Sequence, residues 1–109
     1  MAITIVTKVE MLRGRIDFLL KAENALSLSR AQALLMETEE RLDAIEILPF
    51  DDGATMQFEQ LITNSAMRKA GRADLLIASI VLCHQATLVT RNRKDFQRFP
   101  NLRLVNWFD

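Results

Sequence analysis

The chain has 109 residues, 50% of them hydrophobic, with 14 basic and 14 acidic side chains and a formal net charge of zero. That length suits one domain around one core, so we expect a single domain over residues 1–109. Zero net charge excludes the global basic excess of a dedicated nucleic-acid binder, so any such binding must rest on local patches.

Lone Cys83 cannot close an internal disulfide, and no CxxC or Cys/His cluster suggests zinc; a reducing cytoplasm is the simple reading. No apolar run approaches the roughly 20 residues that span a bilayer. The opening MAITIVTKVE lacks the charged start and cleavage site of a signal peptide. Its β-branched stretch, residues 2–6, predicts a buried strand. Thr7 then starts a helix, with Glu10 completing a T-x-x-E capping box. Val9, Leu12, Ile16, Leu19 and Leu20 recur at helical spacing, and Gly14 suggests close packing. Ser27 or Ser29 caps a second helix over about 29–45, with an acidic solvated face at Glu37, Glu39 and Glu40. A short strand follows at 45–50. Asp51 and Asp52 cap a third helix reaching about Met67, and a basic loop breaks at Gly71.

Asp74 opens an apolar helix, Thr87–Thr90 form a strand, and Asn92 caps a short helix through Phe99. Pro100 and Asn101 turn the chain into a last strand at 102–105, followed by Trp107. Strands separated by helices imply βαβ units and a parallel sheet, whose functional crevice lies at the carboxyl ends of the strands. Glu10, Asn92 and Asp95 follow strands, and Asp74 at a helix N-terminus can reach the same edge.

Clustered carboxylates without lysine partners repel one another and favour a cation between them. Hard Mg²⁺ takes oxygen ligands, usually one or two carboxylates plus waters and substrate phosphates. Glu10, Asp74 and Asp95 together therefore point to metal-dependent phosphodiester chemistry. Each also has a bland reading. Glu10 completes a cap, Asp74 complements the helix dipole, Asn92 is an N-cap and Asp95 a first-turn acid. Cys83 reads as a small buried hydrophobe, His84 as a helix C-terminal residue, and the five methionines as core filler. Arg13, Arg15, Arg68, Lys69, Arg72, Arg91, Arg93 and Lys94 form either a solvated surface or a cationic rim suited to a phosphate backbone.

ITIVTKVEMLRGR around Glu10, ILPFD, RADLLIASIVL around Asp74, and the closing ATLVTRNRKDFQRFPNLRLVNW cover most of the chain. In these pieces, in this order, the chain resembles the PIN-domain ribonucleases, and within them the VapC-type toxins of bacterial toxin–antitoxin pairs. The resemblance implies a three-layer α/β/α sandwich with a mostly parallel sheet, and endonucleolytic cleavage of RNA. It implies Mg²⁺ or Mn²⁺ at Glu10, Asp74 and Asp95, with Asn92 or Asp95 filling the fourth acidic position. It also implies RNA contacts from Arg13, Arg72, Arg91 and Arg93, an antitoxin partner, and a homodimer or higher oligomer. The family's usual L-L-D-T-like first strand, with its aspartate, has no counterpart, and no acid precedes Glu10. We therefore expect an N-terminally shortened fold, weak metal binding and impaired activity. The alternative is a non-catalytic remnant that acts through protein contacts with an antitoxin or another copy.

Overall fold

The computed structural model describes residues 2–90 and 92–106; Arg91 and Trp107 lie outside the described residues. The chain divides into two compact units, residues 1–48 and 49–109.

The first unit opens with β1 (Ala2–Thr4), and α1 (Ile5–Leu20) follows directly. The helix starts earlier than the sequence reading has it. Thr4, not Thr7, is the N-cap, and its hydroxyl accepts the Thr7 N–H at 3.0 Å. A capping box at Thr7–Glu10 is therefore absent, and Glu10 sits exposed in the second turn of α1. Asn24 caps α2 (Ala25–Asp43), accepting the Ser27 N–H at 2.8 Å, so Ser27 is the capped residue rather than the cap. The carboxamide oxygen of asparagine reaches the orphan amide as well as a serine hydroxyl does, and nothing in residues 25–28 resists helix.

The Arg15 guanidinium donates to the Thr38 hydroxyl at 3.1 Å, which ties α1 to α2, and Thr38 in turn donates to the Leu34 carbonyl at 2.8 Å. β2 (Glu46–Leu48) returns parallel to β1, with Ile3 opposite Ile47. Thr4, Ala31, Thr38 and Leu42 are buried here. Val9, Ile16 and Leu20 are not, although their helical spacing predicts an inward face, and Phe18 is exposed beside them; Leu20 is 76% exposed. A Cβ on Gly14 would meet nothing within 4 Å, so that glycine marks open space and not close packing.

In the second unit Asp51 caps α3 (Asp52–Ile62), its Oδ1 accepting the Ala54 N–H at 3.0 Å. The predicted helix to Met67 breaks at Thr63–Asn64. There Asn64 accepts the Ala66 N–H at 2.9 Å and starts the single turn α4 (Ser65–Arg68). Asparagine prefers such local bonds to a helix interior.

The apolar run of α5 (Arg72–Cys83) buries Leu75, Ile77, Ala78, Ser79, Ile80 and Val81, and Ser79 satisfies its hydroxyl on the Leu75 carbonyl at 2.7 Å. Gln85, at φ 52°, ends the helix in the left-handed conformation. β3 (Thr87–Thr90) then pairs in parallel with β4 (Arg103–Asn106) around the short α6 (Arg93–Phe96). Both strand pairs are thus parallel and helix-connected, the α/β pattern expected from the sequence. Of the methionines, Met67 is buried, but Met11, Met36 and Met56 are exposed and fill no core gap.

Candidate metal and nucleic-acid site

Gly71 precedes α5 without a side-chain cap, which leaves the first turn of an apolar helix to Arg72 and Asp74. Asp74 is half-buried, and burial pushes its carboxyl above the ordinary aspartate value. The Asp95 charge adds to that rise, while the Arg98 guanidinium opposes it. Asp95 thus lies near enough for its charge to act on Asp74, both within the second unit. Arg98, in the turn after α6, is not among the residues singled out from the sequence.

Asn92 is exposed at the N-cap of α6, just past the carboxyl end of β3. It makes no side-chain cap bond. Its backbone N–H donates to the Thr90 hydroxyl at 3.0 Å, and its carbonyl accepts the Asp95 N–H at 3.0 Å. The Asn92 amide is thus not consumed by capping, contrary to its bland reading. Glu10 belongs to the first unit, exposed on α1.

Asp74, half-buried and near a second acidic charge, is costly to ionise, and a divalent cation would offset both effects. Its oxygen donors suit Mg²⁺ or Mn²⁺. Among the cations, Arg72 is held 5.7 Å above the Phe58 ring, and Phe58 meets Phe50 edge-on at 6.1 Å. This fixes a guanidinium two positions before Asp74. Arg93 and Lys94 are exposed on α6, Arg13 is exposed on α1, and Arg91 lies outside the described residues. A cleft of about 750 Å³, bordered by Gln57, Asn64, Gln85 and Arg103, contains none of the predicted site residues.

Residues 1–102 match the PIN domain model. Ribonuclease VapC2 of Rickettsia felis is 43% identical over 68 residues, which are 61% of this chain and 51% of that protein. The chain thus spans about half the length of the relative it matches. The crystal structure of VapBC2 from Rickettsia felis bound to a promoter DNA fragment aligns with TM-score 0.74 and 32% identity, over 97% of this chain and 74% of that one. A DNA-bound VapBC structure from Salmonella typhimurium aligns with TM-score 0.73 and 27% identity, over 98% and 75%. VapBC-1 from nontypeable Haemophilus influenzae, at 20% identity and TM-score 0.78 over 100% and 75%, shares the fold. Among the described residues no helix is long and apolar enough to cross a membrane.

Proposed function

This chain belongs to the PIN-domain family, in its VapC-type branch, and on that premise we propose that it is the toxin of a toxin–antitoxin pair, a metal-dependent endoribonuclease acting in the cytoplasm. The observation that carries the proposal is the shared environment of half-buried Asp74 and its neighbour Asp95. Asp74 and Asp95 would hold the cation through carboxylate oxygens, and the Asn92 amide would orient the attacking water or serve as a further ligand.

A divalent ion held there would supply polarisation of a phosphoryl oxygen and a bound water of lowered pKa. Arg72, steadied by Phe58, and Arg93 would draw the RNA backbone towards the acids. Cleavage of single-stranded RNA in Mg²⁺ or Mn²⁺ tests this. Activity should vanish on chelation and in Asp74→Asn, which keeps the side-chain shape and removes the charge. Activity unchanged by that substitution refutes the assignment.

A second reading has its own observation. Val9, Met11, Ile16, Phe18 and Leu20 on α1, and Leu26, Leu28 and Met36 on α2, are exposed apolar side chains on one unit. Surfaces of this kind mark protein contacts. They suit an antitoxin or a second copy whether or not the acids cleave RNA. Binding of an antitoxin by the Asp74→Asn protein, with wild-type affinity, would separate the two roles.

A further inference from the structure

The end of α5 remote from Asp74 carries a second group of ligating atoms. Cys83 is the last residue of α5, His84 is its C-cap, and Asp51 is the N-cap of α3. One ligand atom from each lies within 4.8 Å of the other two. The Cys83 sulfur is 3.8 Å from Asp51 Oδ1, and His84 Nε2 is 3.9 Å from Asp51 Oδ2. Tetrahedral Zn²⁺, with bonds of about 2.3 Å to sulfur and about 2.0 Å to nitrogen and oxygen, needs donors about 3.3–3.5 Å apart. Side-chain rotations that move the ligand atoms by about 1 Å bring the set, within 4.8 Å of one another, to that spacing.

Two features of the fold support the cluster. Asp51 Oδ1 is engaged by the Ala54 N–H at 3.0 Å, which fixes the carboxylate while Oδ2 faces His84. A ligand held by an outer-shell bond of this kind is oriented in advance. Gly53 supplies the space: a Cβ there would come within 2.5 Å of the Cys83 sulfur. The absence of a side chain lets the thiol lie against the first turn of α3. Asp51 and His84 remain exposed, so an ion can enter and a water can complete the shell.

We infer that Asp51, Cys83 and His84 form a site for a borderline transition ion, Zn²⁺ above all, that clips the start of α3 to the end of α5. The mixed sulfur, nitrogen and oxygen set is that of zinc and not of magnesium. Nine residues of helix, about 14 Å of rise, separate Cys83 from Asp74, so this site is distinct from the acid pair. Bound metal would hold the thiol as thiolate and displace its proton to solvent.

Co²⁺ titration of the full chain under a phosphine reductant tests the inference, because a cobalt–thiolate bond gives a near-ultraviolet charge-transfer band that oxygen ligands do not. One equivalent should produce the band, Zn²⁺ should displace it, and Mg²⁺ should not. Cys83→Ser should abolish it. His84→Ala, and Asp51→Asn, which retains a good helix cap, should each weaken Zn²⁺ binding by more than about tenfold, the lower bound for losing even a group that only supports a ligand. Circular dichroism verifies that each variant is folded. Asp74→Asn should leave the band intact, so failure here and failure of the ribonuclease reading are distinguishable. No band at millimolar Co²⁺, or a band of equal strength and affinity in both His84→Ala and Asp51→Asn, would show an adventitious ion only and overturn the site.

Discussion

Gly53→Ala probes the packing of α3 on α5. The new methyl group would sit 2.5 Å from the Cys83 sulfur, where optimal non-bonded separations are about 3.5–4.0 Å. The sulfur must therefore retreat by about 1 Å or more, or the helices must part. Forcing one extra methyl into a packed contact costs about 1–3 kcal/mol. Alanine recovers up to about 1 kcal/mol of helix propensity. The net expectation is a loss of up to about 2 kcal/mol.

Removing the sulfur reverses the sign. The Cys83 Cβ is 4.0 Å from the added methyl, an ordinary contact. In a Cys83→Ala background, Gly53→Ala should be neutral or stabilising. Urea denaturation of the four proteins, in metal-free buffer, completes the cycle. A coupling of about 1–3 kcal/mol is expected, and additivity within about 0.5 kcal/mol would mean that the thiol does not occupy the space Gly53 leaves.

Other perturbations have clear signs. Burial, and after it the Asp95 charge, raise the Asp74 carboxyl. Its stabilising effect is therefore fully present below the ordinary carboxylate value and is lost as pH rises through the raised one. Asp74→Asn should accordingly stabilise the metal-free protein at neutral pH and lose that advantage in acid; an equal gain at both, by urea denaturation, contradicts this. Asn24→Ala removes the cap of α2 and should cost about 0.5–2 kcal/mol, whereas Ser27→Ala should change thermal stability little; the reverse ranking would restore Ser27 as the cap. The exposed apolar residues of α1 and α2 predict a homodimer or higher oligomer by size-exclusion chromatography with light scattering. A stable monomer at micromolar concentration would contradict that reading.

Strand signals were legible. Thr87–Thr90 is the strand expected, and parallel pairing followed from the alternation of helices and strands. Helix starts were less so, because Thr4, Asn24 and Asn64 compete with nearby serines and threonines for the same orphan amides, and only the folded geometry decides among them. Periodicity identified an apolar stripe on α1 but not what covers it, and Val9 and Ile16 remain exposed. Asp74 and Asp95 were legible as candidates from their places beside helix and strand ends. The Asp51–Cys83 approach was not, because the two residues are 32 positions apart and each has an ordinary explanation as a cap or a core residue. Phe58 under Arg72 was hidden for the same reason.

We propose above that Asp74 and Asp95 hold a divalent cation. Mn²⁺ titration followed by electron paramagnetic resonance measures it without RNA, comparing the wild-type chain with Asp74→Asn and with Cys83→Ser. Mn²⁺ binding should fall by more than about tenfold in Asp74→Asn, the lower bound for losing even a group that only supports a ligand, and be unchanged in Cys83→Ser. Equal Mn²⁺ affinity in wild type and Asp74→Asn would contradict it.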